Sequence, residues 1–236
     1  MTDRHEQPRR EFLQHLMGAG VAIAGTGLLS GCAMATSSAA TAGGPASPSA
    51  PETWDMSWTQ RLARHRTAYD SPEVQDGAAL GFADAMMTGY KATGVDESKV
   101  TAVIILRHAA SVMTLNDAMW DRLALGERTK LKDPTTGETT RRNPFINYHK
   151  DDKHSAIDEN SGIDTLMRRG AIILTCNRAL TGVAYQLRKK EPQFTPETAL
   201  AEIRRNVLPG VYVMPNGIFA VSAAQDAGCH YMRVLV

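Results

Sequence analysis

The chain lacks a dominant charge, a cysteine framework and the usual glycine-rich cradles. Its 26 basic and 25 acidic residues leave a formal net charge of +1. No basic field therefore points to a nucleic-acid partner. Three cysteines are too few for a disulfide scaffold. Neither Gly-x-Gly-x-x-Gly nor a P-loop occurs, and there is no Cys-x-x-Cys-His haem attachment. His149 and His154 flank Asp151 and Asp152, but no third fixed ligand accompanies them. The residues thus call for no resident cofactor or metal. Aromatics make up 6% of the chain, so Trp54, Trp58 and Tyr69 are expected as packing groups.

What is present is enough apolar material for one ordinary domain with extras. The 236 residues are 43% hydrophobic and 22% charged. The N-terminus reads as an export signal. Arg9 and Arg10 precede an apolar run from Leu16 to Leu29, the pattern of a twin-arginine signal. Glycines 18, 20 and 25 interrupt that run, which is short for a transmembrane helix. Such signals generally export folded proteins. Leu29-Ser30-Gly31-Cys32 resembles a lipobox, which makes Cys32 the lipidated first mature residue. The competing reading is simple cleavage after Ala33-Met34-Ala35. Residue Ala33 after the cysteine resembles outer-membrane sorting in the periplasm. The division expected is a signal over 1–32, a flexible Ser/Ala/Pro-rich tether over 33–52 and a folded domain over 53–236.

The domain is organised around Gly170-Ala-Ile-Ile-Leu-Thr-Cys176-Asn-Arg-Ala-Leu-Thr-Gly182. Ala171 to Leu174 read as a strand buried on both faces. Leu180, Val183, Ala184 and Leu187 then fall on one helix face, and Arg188-Lys189-Lys190 suit that helix's negative end. Cys176 stands where the strand's C-terminal end meets the helix N-terminus. Ligands of open α/β sheets bind at such places, and unpaired helix N–H groups favour a thiolate there.

Further strands are expected at His65–Tyr69, Val100–Leu106, Val211–Met214 and Cys229–Val236. Helices separate them, with caps expected at Thr114 and Ser222 and a Thr195-Pro196 start. Arg107 and His108 follow one strand, and Pro215-Asn216-Gly217 follows another. His108 is either a proton shuttle near the thiol or a histidine bonded to backbone under a loop. The polar insert from Glu127 to Gly162 reads as a lid, a partner surface or a disordered loop. Its Arg141-Arg142 pair is expected to be solvated surface charge. The alternation of strands and helices predicts a doubly wound, mostly parallel α/β sheet. Cys176 ends a strand and Cys229 begins one, so no disulfide is expected between them.

Val-Ile-Ile-Leu-Arg-His108, Arg-Arg-Gly170-Ala-Ile-Ile-Leu-Thr-Cys176-Asn and Leu-Pro-Gly210-Val-Tyr-Val-Met-Pro-Asn-Gly217 resemble segments of the DsrE/DsrF-like family. More narrowly, the chain resembles exported members with a long insert. The resemblance implies a flavodoxin-like, DsrE-like three-layer sandwich. It also implies a persulfide on a cysteine ending the third strand, which Cys176 matches, and assembly as a homo-oligomer. Two functions follow as expectations. One is a thiol-dependent sulfur carrier or sulfurtransferase with Cys176 as nucleophile, assisted by His108 and Asn216. Its partner would be a sulfur-containing small molecule or a protein thiol. The other is a non-catalytic binding or assembly module, held to the membrane only through lipid at Cys32, with Cys176 as a buried structural group.

Overall fold

A computed structural model of the protein describes residues 52–235; Arg9, Arg10 and Cys32 lie outside them. Five strands form one parallel sheet: β1 (His65–Ser71), β2 (Val100–Leu106), β3 (Ile172–Cys176), β4 (Tyr212–Met214) and β5 (His230–Arg233). Their order across the sheet is β4-β3-β2-β1-β5. Seven α-helices accompany them among the described residues. These are α1 (Ala78–Ala92), α2 (Asp117–Leu123), α3 (Leu125–Thr129), α4 (Ile163–Arg168), α5 (Asn177–Lys190), α6 (Pro196–Arg205) and α7 (Gly217–Asp226). None of these helices is long and apolar enough to cross a membrane.

Handedness explains where the helices lie. The chain steps from β1 to β4 in one direction, so right-handed crossovers put their helices on one face. The connection from β4 to β5 runs back the other way, which sends α7 to the opposite face. The two cores follow this division. Leu80, Ala83 and Met87 of α1 join Leu180, Val183 and Leu187 of α5 over Ala102, Ile104 and Leu106 of β2. Behind the sheet, Ala220 and Ala224 of α7 and Trp58 pack on Val103, Ile105, Ile172 and Leu174. Alternate residues of β2 thus serve different cores, and all seven are buried. That is why β2 reads as an apolar run broken only by Thr101, whose hydroxyl accepts from the Ala63 N–H.

Two caps differ from those expected. Thr114 is buried at the end of a 3-10 helix (His108–Thr114). Its hydroxyl donates to the Ser111 carbonyl at 2.7 Å and lies 3.1 Å from the Thr175 hydroxyl, inside the core and two residues ahead of the position that caps α2. Asn116 caps α2 instead, accepting from the Met119 N–H at 3.0 Å. Ser222 falls inside α7, because the helix begins earlier, behind Asn216.

The insert is fastened to the domain rather than hung over it. Phe145 is fully buried, edge-on to Trp120, and the Asn143 amide donates to the Met113 and Leu115 carbonyls at 2.7 Å each. Arg142 is bound by Asp133 and Asp152, so only Arg141, with its guanidinium largely in water, fits the expectation of surface charge.

Candidate active site

The reversal of chain direction also makes a crevice. β3 and β4 are neighbours, yet α5 leaves β3 toward one face while α7 lies on the other. The two helix N-termini part above the sheet's C-terminal edge, the usual place for a ligand in open α/β folds. A cleft of about 700 Å³ lies there. Cys176 lines it from the end of β3, with Ala179 of α5 and Asn216 and Gly217 at the start of α7. Arg107 and His108 close it from the end of β2.

Cys176 is both the last residue of β3 and the N-cap of α5. Its Sγ accepts from the Ala179 N–H at 3.4 Å, where a serine or aspartate oxygen more often serves. The residue is 5% exposed, so the sulfur belongs to the cleft floor. The level of β3 is set by its neighbours: Thr175 pairs with Leu106 and Cys176 with Met214. Arg204 of α6 donates from Nε to the Asn177 side chain at 2.8 Å, tying the first turn of α5 in place.

Arg107 is held by a buried clamp. Its Nε and Nη2 donate to the two carboxylate oxygens of Asp70, at 2.5 and 3.0 Å. The Tyr231 hydroxyl donates to the same carboxylate at 3.0 Å. The Arg107 and Asp70 side chains are only 12% and 4% exposed. The Asp70 hydrogen bonds hold the Arg107 guanidinium above its ordinary range, against a smaller opposing effect of burial. Attraction to Tyr231 and to Cys176 adds to that rise. Burial, then the bond to Asp70, raises the Tyr231 phenol. Beneath Arg107, Gly217 leaves no room for a side chain: a Cβ there would lie 2.4 Å from the Arg107 Cβ. The clamp thus draws on the ends of β1 and β2, on β5 and on the start of α7.

His108 lies beside Arg107 with φ +48°, a left-handed conformation that costs a non-glycine residue about 1 kcal/mol. Its exposed ring makes no hydrogen bond among the described residues, to backbone or otherwise. Asn216 spends its Oδ1 on the Phe219 N–H at 2.9 Å, capping α7. Arg128 and Arg178 also line the cleft, and neither has an ion pair among the described residues. Among the described residues no carboxylate lines it.

The structure therefore brings Cys176, His108 and Asn216 to one cleft, as the strand ends suggested. It adds Asp70, Tyr231, Arg128 and Arg178, to which the sequence reading gave no role, and shows Gly217 of the strand-end loop packed under Arg107. Asp70 is the next-to-last residue of β1 and pairs in register with Ile105, two residues short of Arg107, so nothing in the order of residues points to their contact. Cys229 stands apart, just ahead of β5 and separated from β3 by β2 and β1. Both cysteines are free, and burial raises the Cys229 thiol. Comparison of the chain with family models, with curated proteins and with solved structures returns no match.

Proposed function

We propose that the protein is an exported sulfur carrier of DsrE/DsrF-like type, with Cys176 as the nucleophile that accepts and holds a sulfane sulfur. The observation that carries this reading is the position of the Cys176 Sγ. It caps a helix on the floor of an open cleft, beside an arginine fixed by a buried carboxylate. A thiol at a helix start, on the sheet edge where α/β folds bind ligands, is placed to act as a nucleophile. The Cys176 thiolate attacks the terminal sulfur of a hydropersulfide. The donor's S–S bond breaks and its electron pair leaves on the donor thiolate. The terminal sulfur, with its proton, stays on Cys176. His108 protonates the departing thiolate, and Asn216 orients the donor. The donor is a small persulfide or a partner protein's persulfide in the periplasm, and a partner protein's thiol takes the sulfur on by the same exchange. Arg9 and Arg10 direct export, Cys32 carries the outer-membrane lipid anchor, and the domain works as a homo-oligomer. These last points rest on sequence pattern and on the family resemblance.

One observation favours a second reading. At 5% exposure Cys176 also fits a structural thiol in a tethered, non-catalytic binding module. Intact mass after polysulfide treatment separates the two. A gain of one sulfur in the wild type that disappears in Cys176→Ser supports the carrier. Labelling that occurs only after unfolding refutes it and leaves the binding module.

A further inference from the structure

The charge around the cleft is one-sided in a way that the fold does not require. Four other helices follow the usual rule of an acid in the first turn, Asp117 in α2, Glu127 in α3, Asp164 in α4 and Glu197 in α6, whereas α1 has none. The two helices that open onto the cleft do not. The first turn of α7 has no charged residue, and α5 carries Arg178 at the end where the helix dipole disfavours a cation. Arg107 is neutralised by Asp70, but Arg128 and Arg178 face the cleft with no acidic partner among the described residues. Part of the lining is apolar, from Tyr185 of α5 and Ile218 of α7, which are 53% and 64% exposed. At about 700 Å³ the cleft is far larger than an inorganic oxyanion needs and has the size of a site for an organic ligand.

We propose that the cleft takes a low-molecular-weight thiol persulfide bearing carboxylates. Its acidic groups meet Arg128 and Arg178, its carbon chain lies on Tyr185 and Ile218, and its sulfur reaches Cys176. The transfer chemistry rests on the carrier reading; the anion site does not. In the transfer, Cys176–S⁻ attacks the outer sulfur of R–S–SH. The S–S bond breaks, R–S⁻ leaves, and Cys176–S–SH remains.

The test compares two donors on the full mature protein at equal concentration and low salt. One is glutathione persulfide, which bears two carboxylates; the other is the persulfide of 2-mercaptoethanol, which bears none. Loading of Cys176 is followed by intact mass. The wild type is expected to load from glutathione persulfide about tenfold faster, the effect of one or two charge-assisted contacts. In Arg128→Gln/Arg178→Gln the ratio falls toward one. A ratio near one in the wild type, or one that survives the double substitution, overturns the proposal. A second arm measures binding of reduced glutathione to Cys176→Ser by calorimetry, with and without the arginines. Binding that depends on the arginines, without sulfur loading from any donor, sinks the carrier reading and keeps the anion site. Loading without donor preference, and no such binding, does the reverse.

Discussion

Gly217→Ala isolates the contact that seats Arg107. The glycine's backbone is outside the left-handed region, so alanine introduces no backbone strain there. The whole effect is steric. The new Cβ would lie 2.4, 2.7 and 3.1 Å from the Arg107 Cβ, Cδ and Cγ. Carbon atoms in contact sit about 3.5–4.0 Å apart, so α7 and the end of β2 must part by about 1 Å. Rotating the arginine cannot relieve this, because its Cβ is fixed by the backbone. Overpacking of this kind costs about 1–3 kcal/mol. If Arg107 also retreats from Asp70, a buried carboxylate loses its two guanidinium bonds, and breaking such a pair costs about 3–5 kcal/mol. With partial relaxation, we expect a loss of about 2–4 kcal/mol. For a domain of this size that lowers Tm by roughly 5–15 °C. Gly81→Ala is the control. Gly81 lies in α1 with nothing within 4 Å, so alanine should stabilise by up to about 1 kcal/mol through helix propensity. Urea unfolding and calorimetry read both variants. A Gly217→Ala protein as stable as the wild type would refute the claim that the glycine is there to admit Arg107.

Three other outcomes are expected. Phe145→Ala should destabilise the whole domain by about 3–5 kcal/mol in urea unfolding, because a fully buried ring in the main core is removed; a change confined to proteolysis of the insert would show that the insert is only laid on the surface. Burial alone would raise the Asp133 and Asp152 carboxyls, but bonds from Thr136 and Arg142 to the first, and from Thr135, His149 and Arg142 to the second, hold both below the ordinary 3.8. Their stabilisation is therefore present above pH 3.8 and is lost as pH falls through their folded values. Pepsin should then cut within residues 131–152 before it cuts the sheet, and first cuts in the strands would contradict this. Burial, then the neighbouring Tyr90, pushes the Tyr69 phenol up to about 12 from 10.0. The folded state favours its neutral form, so the contribution is intact below pH 10 and fades as pH rises toward 12. That loss should amount to about 2–3 kcal/mol by the difference in urea midpoints between wild type and Tyr69→Phe, and equal slopes against pH would dispose of it.

The parallel sheet was legible because its strands are short apolar runs set off by helical periodicity. β2 and β3 announce themselves in this way, and with β3 comes the position of Cys176. The Leu180-Val183-Ala184-Leu187 face of α5 is buried as the spacing implies. What escaped was everything set by distant partners. The bond from Arg107 to Asp70 spans 37 positions, and neither residue type signals the other. Phe145 sits in a polar stretch, and only the fold shows that it fills a space over Gly77. The caps slipped for a local reason: a buried 3-10 turn claimed Thr114, and an asparagine two positions on was free to do the capping. Arg178 lay inside the stretch that drew attention, but its significance depends on which carboxylates are missing nearby, a property of space rather than of order.

The position of β5 ties the candidate site to the completion of synthesis. β1 leaves the ribosome early, yet its outer edge and the Asp70 carboxylate wait for a strand whose tyrosine lies 161 positions later. A growing chain that has made β1 to β4 can stack most of the main core, but its Arg107–Asp70 clamp lacks the Tyr231 hydroxyl and its sheet keeps an open edge. Ribosome-stalled or truncated chains should therefore be visibly unfinished beside the candidate site. For a protein expected to fold before it is exported, the last strand to dock would then serve as the mark of a finished molecule.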